Sequence, residues 1–207
     1  MQTGVCGGEH RVNGGASRIR PAARQGHMEE SRVRKLASGA LWEYALKVIG
    51  GRAHSTGEMR EKLRRRAERA ADVDDILARL KDHGYLDDRR YAESFAAARL
   101  SNDKLGKTRV LQDLRQRRVA PALAEQTVRQ VYRDVNETAL IEEWIRRKYR
   151  LASREGLFQE DKDLAAAYRR LLRAGFRSGE IVRVLKRFAR NPELLDSFEP
   201  PEEAAGE

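Results

Sequence analysis

Cysteine is nearly absent: Cys6 stands alone among 207 residues, so no disulfide can close within the chain. A stapled extracellular domain is thereby excluded, and a thiol-based metal cage with it. Aromatic residues are scarce at 6%, so a core must be thin and built on Leu, Val, Ile and Ala. There are five prolines, leaving long stretches free of helix breakers. No apolar run approaches the roughly 18 residues that a membrane span needs, and no apolar stretch of signal-peptide type opens the chain. The cytoplasm is the expected location.

Chemistry-bearing constellations are also missing. The four histidines (His10, His27, His54, His83) are scattered, and none stands four residues from another. This gives no zinc pattern. Gly106-Lys107-Thr108 suggests a phosphate loop, but position 101 is Ser101 where that motif needs glycine. The residues before it read as helix where the motif needs a strand, so an interhelical turn is the better account. No Ser/His/Asp or Cys/His set is present. The expectation is a binding protein with no cofactor, no metal and no catalytic residues.

What the chain has in abundance is charge, 36% of residues, with a net +10. Its distribution is uneven. Residues 1–38 carry +4, residues 39–88 carry 0, residues 89–135 and 136–190 carry +6 each, and residues 191–207 carry −6. Such basic middle and C-terminal thirds suit nucleic acid or an acidic protein surface, although a solvated face is the ordinary use of charge. The clusters are Arg64-Arg65-Arg66; Arg115, Arg117 and Arg118; Arg146, Arg147, Lys148 and Arg150; Arg169, Arg170 and Arg173; and Arg183, Lys186 and Arg187. Macrodipole complementarity explains part of this, since three of them end helices. Arg forks also fit carboxylates and phosphates.

An internal repeat organises the chain. Tyr44, Ala45 and Ile49 recur 51 residues later as Phe95, Ala96 and Leu100, and Leu63, Leu77 and Leu80 recur as Leu114, Val128 and Val131. A third copy aligns Trp144, Ile145 and Tyr149 at an offset of 49, and Tyr168 and Leu171 at 57. Its last helix aligns Val182 and Leu185 with Val128 and Val131 at 54, and residues 152–159 read as an insertion. The expected fold is all-α: three tandem three-helix units forming an elongated, curved array. The units span 39–88, 89–135 and 136–190, between a disordered basic arm (1–38) and an acidic disordered tail (191–207). The helices are expected near 40–50, 56–67, 73–83, 88–101, 106–117, 121–133, 137–150, 161–174 and 178–189. Ser55 with Glu58 forms a capping box, Asp72 precedes the third helix, Gly84 stops it, Pro121 opens the sixth and Ser178 caps the ninth.

Gly84-Tyr85-Leu86-Asp87-Asp88-Arg89-Arg90-Tyr91-Ala92 is the most distinctive block. Read physically it is a joint: Gly84 ends a helix, Tyr85 and Leu86 pack between units, Asp87 or Asp88 caps the next helix, and Tyr91 opens its apolar face. Together with Arg52, Ser55, Glu58, Met59, Lys62, Leu63, Ile76 and Leu80 before it, and Gly106 and Leu114 after it, this block resembles the RecX family over about residues 40–190. Members of that family carry a Lys-Gly turn after the second helix of a unit. Here Arg66-Ala67 and Arg117-Arg118 stand in that place, so helix is expected to extend through both turns. Only the third unit has its glycine, Gly175.

The resemblance implies a non-enzymatic regulator that binds RecA and lies along the RecA–single-stranded DNA filament. It would there inhibit recombinase, ATPase and co-protease activities, in homologous recombination, DNA repair and the SOS response. The candidate contact residues are Arg115, Arg117, Arg118, Arg146, Arg147, Lys148, Arg169, Arg170, Arg173, Arg183, Lys186 and Arg187. A monomer with weak direct DNA binding and no membrane contact is expected. The rival reading is a stand-alone helical DNA-binding protein.

Overall fold

In a computed structural model, residues 35–149, Phe158 and residues 161–189 are described. The N-terminal arm up to residue 34, most of the insertion and the acidic tail lie outside them. The described residues form nine helices and no strands, in three groups of three. The first group is α1 (Ser38–Gly51), α2 (Thr56–Arg66) and α3 (Ala70–Asp82). The second is α4 (Asp88–Asp103), α5 (Lys107–Gln116) and α6 (Pro121–Val131). The third is α7 (Glu137–Tyr149), α8 (Asp161–Arg173) and α9 (Ser178–Phe188). Among the described residues no helix is long and apolar enough to cross a membrane.

Burial follows the repeat. Ala45, Ala96 and Ile145 are fully buried at equivalent places, as are Leu63, Leu114 and Leu171. The ninth helix corrects the alignment. Its buried face is Ile181, Val184, Leu185 and Phe188, which answers Ala124, Thr127, Val128 and Val131 at an offset of 57, not 54. Helices two and three of the third copy thus share one offset, and a single insertion after α7 accounts for it.

Helix ends show where local rules hold. Ser55 accepts from the Glu58 amide at 3.0 Å, half of the expected capping box. The Glu58 carboxylate turns elsewhere. Pro121 opens α6, where its missing N–H costs nothing. Asp72 does not precede α3 but lies in its first turn, buried and bonded to Arg69 at 2.7 Å. Ser178 is the first residue of α9 and leaves the cap position to Arg177; its hydroxyl pairs with Tyr168 at 2.7 Å.

The turns after the second helices do not extend as helix. After α8, Gly175 takes φ +87° and the Phe176 amide donates to the Leu171 carbonyl. After α5, Arg118 takes φ +58° and the Val119 amide donates to the Leu114 carbonyl. The same left-handed turn is therefore built once with glycine and once with arginine. After α2 the chain becomes extended at Ala67, which bridges Leu36.

Two apolar cores result. Residues of α1–α3 with Leu86 form one, and residues from α4 to α9 form a single larger one joined by Phe158. Unit one therefore has its own core, while units two and three share theirs.

Candidate functional site

The first junction between units is polar. The amide of Thr56, at the start of α2, donates to the Asp88 carboxylate at 2.7 Å. Asp87 caps α4 by accepting from the Arg90 amide at 3.0 Å. The two acids divide the work: Asp87 caps its own helix and Asp88 the N-terminus of a helix in the preceding unit. The Ser55 hydroxyl donates to the Arg117 carbonyl, and Gly57 lies so close to Arg118 that a Cβ there would overlap its backbone.

Glu58 is the hub of this joint. It is bonded by Arg52 at 3.1 Å, by His54 Nδ1 at 3.2 Å and by Arg117 at 3.4 Å. Burial pushes its carboxyl up, but the hydrogen bonds and charges of Arg52, Arg117 and His54 outweigh that and hold it below its ordinary range. Burial lowers the His54 imidazole, helped by the Arg52 charge. Arg52 is raised through its hydrogen bond to Glu58. Arg117 also donates to the Tyr91 hydroxyl at 3.1 Å and lies 4.8 Å from the centre of the Phe95 ring.

Arg117 is therefore held in the joint, with part of its side chain still exposed. Nothing local in the sequence signals this, because Glu58 is 59 positions away. Tyr85 also departs from expectation. It is 52% exposed, against His83 at 5.9 Å, and does not pack between units; Leu86, Ala92 and the partly buried Tyr91 do point inward.

The remaining candidate cations divide into paired and unpaired. Arg115 pairs with Glu125 at 3.0 Å and Arg118 with Glu61 at 3.6 Å. Arg146 and Arg187 both bind Glu142, at 3.3 and 2.7 Å, and Arg183 binds Glu180 at 3.1 Å. Arg147 donates to the Asn102 carbonyl and Arg170 to the Tyr149 hydroxyl. Lys186 is half-buried. Lys148, Arg169 and Arg173 are exposed, with no partner among the described residues. These three residues, one on α7 and two on α8, thus keep their charge available, while most of the others are engaged within the fold. No group of three or more His, Cys, Asp or Glu placed to hold a metal occurs among the described residues.

The second junction repeats the first with different atoms. The Gly106 amide donates to the Ala174 carbonyl at 2.8 Å and the Thr108 amide to the Gly175 carbonyl at 3.3 Å. A Cβ on Gly106 would overlap the Gly175 backbone. The Gly106-Lys107-Thr108 turn is therefore a packing joint.

Comparison with known proteins agrees with this architecture. Residues 42–80 match the family model of the first three-helix domain of RecX, and residues 87–128 that of the second. Regulatory protein RecX of Trichlorobacter lovleyi is 31% identical over 141 residues, covering 68% of this chain and 90% of that protein. Regulatory protein RecX of Escherichia coli is 32% identical, covering 59% and 78%. The crystal structure of RecX from Lactobacillus salivarius superposes with a TM-score of 0.54 at 18% identity, over 73% of this chain and 96% of that one, a likeness of fold. With its tandem three-helix units, its joint block and a relative matched over nine-tenths of that protein's length, this chain belongs to the RecX family of regulatory proteins.

Proposed function

We propose that this protein binds RecA and its filament on single-stranded DNA and restrains filament activity, acting as a monomer and without chemistry of its own. Its relatives are regulatory proteins. The observation that carries the reading is the exposed, unpaired set Lys148, Arg169 and Arg173, on a unit whose segment carries +6. A filament groove lined by phosphates and acidic side chains attracts such a surface. Arg115, Arg118, Arg146, Arg147, Arg170, Arg183, Lys186 and Arg187 add to the field, but their internal bonds leave them less free. The cytoplasm follows from that partner.

The test is titration into a RecA ATPase assay on single-stranded DNA. Replacing Lys148, Arg169 and Arg173 with Glu is expected to raise the half-inhibitory concentration about tenfold or more, with the melting temperature unchanged. Replacing Arg64, Arg65 and Arg66 is expected to matter less, because acids in that unit balance its charge. The difference should shrink as salt rises, since exposed charges are screened beyond about 8–10 Å. Equal loss from both sets would make the charge diffuse. Tight DNA binding without RecA, on a steep salt slope, would favour the stand-alone DNA-binding reading.

A further inference from the structure

The junction of units one and two encloses a cleft of about 570 Å³ that none of the joint's bonds requires. Its cationic wall is Arg52, Arg90 and Arg117, and its apolar wall is Tyr85, Tyr91 and Phe95. Tyr91 and Phe95 stack at 6.1 Å, and the exposed Tyr85 stands in the bend between α3 and α4. Arg52 and Arg117 are already held by Glu58. Arg90 is exposed, and its side chain has no partner among the described residues. Asp87 supplies an acceptor carboxylate at the same cleft.

We infer that this cleft is a docking site for a short peptide segment of a partner protein that carries a carboxylate next to an aromatic or large aliphatic side chain. Arg90 would take the carboxylate. The apolar side chain would enter between Tyr85 and the Tyr91–Phe95 pair, and Asp87 would accept a peptide N–H. Charge decides between peptide and nucleic acid. Arg52, Arg90 and Arg117 are matched there by Glu58, Asp87 and Asp88, at the cleft or in the joint beside it, three charges of each sign. A polyanion meets little net attraction there, whereas a single carboxylate meets an open guanidinium. None of Lys148, Arg169 and Arg173 lines the site, which does not depend on the RecA reading.

The test uses the full chain without RecA. A fluorescein-labelled peptide of sequence Gly-Asp-Glu-Phe-Asp-Leu-Gly is titrated by anisotropy, beside the same peptide with Gly for Phe and beside a labelled oligothymidylate. Binding of the first peptide is expected to be at least tenfold tighter than of the second. Arg90→Glu and the cleft-filling Ser94→Trp should each weaken it by tenfold or more, while leaving the melting curve unchanged. Amide shifts on titration should centre on residues 84–95. No measurable peptide binding, binding indifferent to both variants, or oligothymidylate displacing the peptide from those amides would overturn the inference.

Discussion

Arg118 holds φ +58° in a turn where the equivalent residue of the next unit is Gly175 at φ +87°. A side chain in the left-handed region costs roughly 1–2 kcal/mol, while glycine adds about 0.5–1 kcal/mol of chain entropy to the unfolded state. The exposed Arg118–Glu61 pair at 3.6 Å contributes little against either. Arg118→Gly is therefore expected to raise stability, by about 0.5–1 kcal/mol in urea unfolding. Arg118→Ala keeps the strain and should give no gain; equal gains from both would remove strain as the cause. His54 gives the second expectation at this scale. Its folded pKa lies below its ordinary value of 6.5, so the unfolded chain takes the proton first as the pH falls. Stability fully present above that value is lost as pH falls through it towards the folded one. Glu58, also lowered, adds a further loss below its ordinary 4.5. Urea midpoints between pH 8 and 5.5 should thus fall on the acid side, and His54→Gln should flatten that slope. A wild-type midpoint constant over this range would mean the imidazole is not desolvated in solution.

The joints between units depend on two close backbone approaches at the starts of α2 and α5. Gly106 meets Gly175, and Gly57 meets Arg118, in each case with no room for a Cβ. Gly106→Ala must push two backbones apart, and is expected to cost about 1–3 kcal/mol. Gly179→Ala, inside α9 with open space around it, should instead stabilise by up to about 1 kcal/mol. Thermal melts of the two variants side by side check this, and similar shifts would mean that close approach is not what Gly106 provides. The helices themselves were legible because their apolar residues recur at helical spacing, Gly84 stops α3 and Pro121 opens α6. The partners of Glu58, Asp88 and Arg117 were not. Their spacing fits ordinary capping, and the bonds that cross between units, Thr56 to Asp88 and Arg117 to Glu58, span 32 and 59 positions that no local pattern encodes. Counting charge along the chain likewise could not show that the Arg117 guanidinium bonds Glu58 and Tyr91.

At the scale of the whole chain, the two cores imply two cooperative bodies among the described residues. Helices α1–α3 close around Leu41, Met59, Leu63 and Leu80, and meet unit two through a junction made mainly of ion pairs and hydrogen bonds. Units two and three share one cluster running from Ala92 to Phe188, so neither finishes its core alone. Fully buried Leu114, Tyr132, Ile145 and Leu171 all belong to it. A fragment of residues 87–190 is therefore expected to fold with a cooperative melt, whereas a fragment of residues 87–135 should be largely unstructured. Hydrogen exchange on the intact chain gives the complementary reading. Amides of α1–α3 should open together with one free energy, and those of α4–α9 with a higher one, because the larger shared core resists opening more. Mild acid should widen that gap, since protonating His54 weakens the first unit's junction and leaves the shared core untouched. Uniform exchange across all nine helices, or a cooperative melt from the 87–135 fragment, would show that the array is divided somewhere other than at the Glu58 joint.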